Sequence, residues 1–351
     1  MTQTWPPAAA KQDTAHLELA FEDNRLVSQL YGEFDQNLAL VEQKLEVEAA
    51  PRGNHVMLRG SALGVDQARR VLESLYDLLE EGRSVVIGDV DGVIRMIQTE
   101  DSQPTLPSLD GRGRIRMAQI ATRKATIVAR SPAQDAYVRA MERADMIFGV
   151  GPAGTGKTYL AVAYAATLLE RGEINRIVLS RPAVEAGERL GFLPGDMKEK
   201  VDPYLRPLYD ALYDMMQPEH VERCIASGII EVAPLAFMRG RTLSNAVVIL
   251  DEAQNTTAMQ MKMFLTRLGE NSKMIVTGDP SQIDLPRGQT SGLDEAIDIL
   301  SGVEGIQFIR FTDRDVVRSE LVRRIVAAYD SRSSVDKSAE LDLTRPAPRR
   351  K

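Results

Sequence analysis

Residues 151–158 constrain this chain more than any other segment. Gly151, Pro152, Ala153, Gly154, Thr155, Gly156, Lys157 and Thr158 match G-x-x-x-x-G-K-[ST], the loop that cradles nucleotide phosphates. The apolar run Met146-Ile147-Phe148-Gly149-Val150 predicts a buried strand directly before it. Leu160, Ala163, Tyr164, Leu168 and Leu169 fall at helical spacing after it, within Tyr159 to Arg171. Strand, glycine loop and helix together impose an α/β fold with a parallel sheet. The glycines let backbone N–H groups turn inward, and the helix N-terminus adds partial positive charge. Lys157 is placed to neutralise β and γ oxygens, and Thr158 offers a hydroxyl to Mg²⁺. The expected cofactors are therefore ATP and Mg²⁺.

Ligands of an open parallel sheet gather beyond the carboxyl ends of its strands, so further site residues are sought there. Val247-Val248-Ile249-Leu250 reads as a short buried strand followed at once by Asp251 and Glu252. Asp251 is the candidate metal ligand, through water, and Glu252 the group that orients or deprotonates the attacking water. A third strand, Met274-Ile275-Val276-Thr277, runs into Gly278-Asp279-Pro280-Ser281-Gln282. Gln282 is a candidate for contact with the γ-phosphate or lytic water, although Asp-Pro-Ser also suits a plain turn. A fourth strand, Ile306 to Phe311, ends at Thr312 and Asp315, which have capping-box spacing. A helix begun there carries Arg314 and Arg318 one turn apart, either of them a candidate to stabilise transition-state charge. Solvated helix arginines are the plain alternative. Gln134, near the start of a predicted helix over Asp135 to Arg143, lies just upstream of the first strand.

With these motifs in this order, the segment from about 120 to about 330 resembles the PhoH family of ATPases. Ser180-Arg181-Pro182, Gly191-Phe192-Leu193-Pro194-Gly195-Asp196 and Asp315-Val316-Val317-Arg318 fit the same family. The resemblance implies a RecA-like domain of the kind found in superfamily 1 helicases, ATP hydrolysis, adenine contact by Gln134 and nucleotide sensing by Gln282. It also implies an RNA-linked role, with a YbeY-type endoribonuclease as partner in ribosomal RNA processing. The runner-up reading is a nucleotide-gated scaffold that docks an endoribonuclease or ribosomal partner without unwinding.

The 351 residues suffice for about two domains. We expect a disordered start over residues 1–14, a small α+β domain over 15–98, a linker over 99–123, the ATPase over 124–330 and a flexible tail over 331–351. From His16 to about Gly92 the expected order is strand, helix, helix, strand, helix, strand, which resembles a KH domain. The loop that would grip a nucleic-acid backbone there reads Gly32-Glu33-Phe34-Asp35, and its two acids would repel phosphate. RNA binding and protein docking both stay open for this domain. The single cysteine, Cys224, rules out an intramolecular disulfide and suits a reducing cytoplasm. Three scattered histidines argue against a His/Cys metal site. A net charge of −7 argues against coating nucleic acid by bulk electrostatics. Residues for only one motor domain are present, so closure of the nucleotide site is expected from a neighbouring subunit in a homo-oligomeric ring, first a hexamer.

Overall fold

Two sheets of different character follow from two patterns of burial. The structure, a computed structural model, describes residues 14–102, 117–182, 197–286 and 288–316. In the N-terminal part, strand β1 (Thr14–Ala20) alternates exposed and partly buried residues, as an edge strand with one solvent face does. It pairs antiparallel with β3 (His55–Ser61), which pairs with β2 (Glu48–Arg52), giving the order β1-β3-β2. Helices α1 (Asn24–Tyr31), α2 (Gln36–Leu45) and α3 (Ala62–Glu80) cover the sheet, followed by α4 (Ile87–Ser102).

Two expectations change here. Strand β2 is additional: of its five residues only Ala49 is buried, and Pro51 fits an edge, so no alternation announces it. The final strand expected before Gly92 is instead helix α4. Val90, Val93, Ile94 and Ile97 are all buried at helical spacing, and the 3.6-residue period prevails. Helix α4 continues to Ser102, and strand β4 (Gln119–Ala121) with its hairpin partner β5 (Thr126–Val128) begins inside the interval read as linker. Met117 and Val128, beside and in this hairpin, pack into the N-terminal core.

The second sheet is parallel throughout. Strands β6 (Met146–Val150), β7 (Arg176–Arg181), β8 (Ile230–Pro234), β9 (Ala246–Leu250), β10 (Lys273–Gly278) and β11 (Ile306–Arg310) lie in the order β11-β6-β10-β9-β7-β8. Along β9 the two faces separate residue by residue. Val247 and Ile249 join the core under α5 (Pro132–Arg143) and α6 (Lys157–Glu170), together with α7 (Met197–Met215) and α8 (Pro218–Ala226). Val248 and Leu250 join the core under α9 (Ala258–Leu265) and α10 (Gly292–Leu300). Helices on both faces and near-continuous apolar strands are the signature of a doubly covered parallel sheet. The expected RecA-like α/β class is what the chain adopts, with a small α+β domain before it.

Strands β7 and β8 flank helices α7 and α8 in the chain, and α7 runs through Pro203 and Pro207. Residues 183–196, with the Gly191–Asp196 motif, lie outside the described residues, as do the expected disordered start up to residue 13, the tail and Arg318. Among the described residues no helix is long and apolar enough to cross a membrane.

Candidate nucleotide site

Register puts the site together. Val150 is level with both Gly278 and Arg310, and Leu250 with Val276 and Ser180, so the loops after β6, β7, β9, β10 and β11 leave the sheet at one rim. The loop after β6 is anchored by a Gly151 N–H donated to the Gly278 carbonyl, 3.0 Å away. Gly151 has φ 145°, and a Cβ there would land on the Phe311 carbonyl oxygen. Only glycine fits that seat. Gly156, at φ 83°, leads into α6, whose first residues are Lys157 and Thr158.

The Lys157 ammonium donates to the carbonyls of Gly151 (2.6 Å) and Pro152 (2.7 Å), which folds the side chain along its own loop. Burial pushes its pKa below the usual lysine value; Asp279, Asp251 and Glu252 oppose the push. Thr155 is wholly buried and closes the loop by donating to the Pro152 carbonyl at 3.0 Å.

Asp251 extends from the tip of β9 and is buried. Its Oδ1 accepts hydrogen bonds from the hydroxyls of Thr158 (2.6 Å) and Thr277 (2.7 Å). A hydroxyl beside a carboxylate, both facing the loop, is the hard-oxygen pair that suits Mg²⁺ with water and phosphate completing the shell. Among the described residues no cluster of three or more His, Cys, Asp or Glu offers a rival metal site.

Glu252 stands in the left-handed region, φ 52° and ψ 40°. For a residue with a Cβ this costs on the order of 1–3 kcal/mol, and such strain gathers at functional sites. Two partners hold the side chain: the Gln254 amide donates to Oε2 at 2.6 Å, and the Arg181 guanidinium lies 3.2 Å from Oε1. Gln254 also donates to the Gln282 carbonyl (3.2 Å) and accepts from the Asp279 N–H (3.0 Å), tying the loops after β9 and β10 together. Asp279 in turn accepts from the Ala153 N–H at 3.1 Å and from the Gln282 side chain at 2.6 Å. The pocket they enclose, about 240 Å³, is lined by Gly154, Lys157, Thr158, Asp251, Glu252 and Gln282 among others.

The rim thus unites every expected P-loop residue with Asp251, Glu252 and Gln282. Gln134 lies one step away, on the first turn of α5. Its Oε1 accepts from the Arg130 N–H (2.7 Å) and its Nε2 donates to the Thr155 carbonyl (3.0 Å). It braces the loop's backbone, with one lone pair and one N–H left for a ligand. Thr312 and Asp315 form the expected capping box, on a short 3₁₀ turn over Asp313–Asp315. Arg314 on that turn is exposed and does not line the phosphate pocket; its carbonyl accepts from Arg95 at 2.7 Å. Thr277, Asp279, Gln254 and Arg181 join the site although the sequence does not single them out, because their roles depend on which strand tips become neighbours.

The arrangement of a G-x-x-x-x-G-K-[ST] loop, a strand-tip Asp bonded to its Thr, and a Gly-Asp-Pro-Ser-Gln turn gripping its backbone agrees with comparison to known sequences. A family model described as PhoH-like protein matches residues 126–330. The chain belongs to the PhoH-like family. A PhoH-like protein of Bacillus subtilis is 51% identical over 304 residues, which cover 87% of this chain and 94% of that one. A PhoH-like protein of Mycobacterium tuberculosis is 48% identical over 334 residues, 93% and 92% of the two chains. Protein PhoH of Escherichia coli is 47% identical over 232 residues, 66% of each. Membership of the PhoH-like family and the geometry of the rim agree on a P-loop nucleotide-binding protein.

Proposed function

We propose that this chain is a Mg²⁺-dependent ATPase of the PhoH type whose hydrolysis cycle acts on RNA. The observation that carries the proposal is the Thr158–Asp251–Glu252 cluster. Asp251 and Thr158 offer the oxygens that would hold Mg²⁺, and the bound ion would offset negative charge on the phosphates. Lys157 exchanges its loop carbonyls for β and γ oxygens. Glu252, aimed by Gln254 and Arg181, orients the attacking water and accepts its proton, while Gln282 faces the γ-phosphate. The tie from Gln254 to both rim loops means that a change at the γ-phosphate is felt at once by the loops after β9 and β10.

The RNA role, a YbeY-type endoribonuclease partner and a ring in which Arg318 or Arg314, of the same subunit or a neighbour, completes the site extend the family reading. One observation favours the scaffold alternative for the N-terminal domain. Phe34 is fully exposed (102%) at the tip of a turn, in a left-handed conformation between Glu33 and Asp35. An aromatic knob flanked by acids suits a protein surface better than a phosphate backbone. The test is ATP turnover with and without single-stranded RNA at several salt concentrations. Stimulation by RNA that fades as salt rises supports the RNA-coupled ATPase; stimulation by a protein partner alone supports the scaffold. Absence of ATP hydrolysis under all of these conditions overturns the ATPase reading.

A further inference from the structure

A second cavity, about 750 Å³, opens beside the phosphate pocket. The two share Gly154, Gly156 and Tyr159, so a ligand seated on the loop continues from one into the other. Its volume is that of small-molecule sites generally. Gln134, Tyr159 and Leu160 form the side that belongs to the ATPase domain. The opposite side comes from the N-terminal domain: Arg83, Val86 and Asp89, all outside the segment matched by the family model.

Three features make this a built wall. Arg83 Nη1 is screened from solvent and has no hydrogen-bond partner among the described residues, although the same guanidinium pairs with Glu81 at 2.7 Å. Val86 presents an apolar side chain 48% exposed. The wall is also fixed in place, because Asp89 pairs with Arg130 at 3.0 Å and α4 approaches so closely that a Cβ on Gly92 would lie 3.0 Å from the Arg130 Cα. Arg130 donates its N–H to Gln134, and Gln134 donates to the loop carbonyl of Thr155. A continuous path of contacts therefore joins helix α4 to the phosphate loop.

We propose that the nucleobase of the bound triphosphate occupies this cavity, stacked near Tyr159 and walled by Arg83 and Val86, so that one nucleotide is held by both domains. The proposal rests on the P-loop reading above and adds the N-terminal domain to the binding site. A planar base has an apolar face for Val86 and Tyr159 and ring acceptors for the Arg83 guanidinium that lines the cavity.

The test is calorimetric titration of the full chain with Mg²⁺-ATP and, separately, with Mg²⁺-tripolyphosphate, which has the phosphates and no base. Val86→Asp and Arg83→Ala, at exposed and partly exposed positions, are expected to weaken ATP about tenfold, comparable to loss of one base contact, and to leave tripolyphosphate affinity unchanged. Tyr159→Ala is expected to behave the same way. Unchanged ATP affinity in Val86→Asp and Arg83→Ala overturns the proposal, as does equal weakening of both ligands. A failure of the underlying reading looks different: wild-type protein would bind neither ligand, or Lys157→Ala would bind both as well as wild type.

Discussion

Replacing Gly151 with alanine tests whether the loop's seat is set by backbone packing. Gly151 has φ 145°, outside the region open to residues with a Cβ. The added Cβ would meet the Phe311 carbonyl oxygen and come within 2.8 Å of that carbonyl carbon. Neither side can retreat easily. Phe311 donates its N–H to the Val150 carbonyl at 2.7 Å, and Gly151 donates to Gly278 at 3.0 Å. Backbone strain of roughly 1–3 kcal/mol and overpacking of roughly 1–3 kcal/mol together give a loss of about 2–6 kcal/mol. That is a large fraction of the roughly 5–15 kcal/mol that stabilises a domain. Gly172 supplies the control: its φ is +71° and a Cβ there meets nothing within 4 Å. Gly172→Ala should therefore cost only about 1–2 kcal/mol, the left-handed penalty alone. Urea unfolding of both variants, with ATP titration of whatever remains folded, measures the difference. If Gly151→Ala loses no more stability than Gly172→Ala, the seat is not made by Phe311 and Gly278 and the account of the loop is wrong.

Glu252→Gln should bind ATP as wild type does and lose turnover by about 10²-fold or more, the share of a general base; steady-state kinetics beside calorimetry separates the two. Asp279→Ala strands the Ala153 N–H and the Gln282 amide, and a stability loss of about 2–4 kcal/mol in denaturant is expected from broken bonds to a buried carboxylate. The Glu231 carboxylate accepts from both Arg241 guanidinium nitrogens, at 2.6 and 2.7 Å, and that hydrogen bonding lowers its pKa from 4.5. The unfolded chain then binds the proton more readily, so the stabilisation is complete above the unfolded pKa and lost as pH falls through the lowered folded one. Glu231→Gln should be about 0.5–1 kcal/mol less stable than wild type at pH 7, with the gap closing below pH 4.5 in paired melts.

The parts of this protein that were legible in sequence are those in which one short run carries its own meaning. Val247 to Leu250 announces a buried strand and Asp251-Glu252 marks its tip. Met274 to Thr277 does the same, and Gly151 to Thr158 spells out a phosphate loop. What stayed hidden depends on neighbours distant in the chain. Strand β8 ends in Pro234 and only Ile230 of its five residues is buried, so its place in the sheet follows from pairing with β7. Asp279 reads as a turn residue until β10 brings it beside Ala153, 126 positions away. The left-handed backbone of Glu252 has no sequence signal, because glutamate is not a residue that favours it. Helix α4 was hidden differently: Val85-Val86-Ile87 imitates a strand, and only the spacing of Val90, Val93, Ile94 and Ile97 reveals the helix.

The seat of Gly151 has a consequence for how the chain is born. Its two walls, Gly278 and Phe311, are synthesised long after it, Phe311 by about 160 residues. At roughly 5–20 residues per second, some 8–32 seconds separate the emergence of the loop from the arrival of its last support. Throughout that interval the Gly-Lys-Thr sequence is present on the ribosome, but the loop has no frame. A nascent chain should thus acquire nucleotide only when β11 has docked against β6, which keeps chains that still lack β11 out of the nucleotide-bound population.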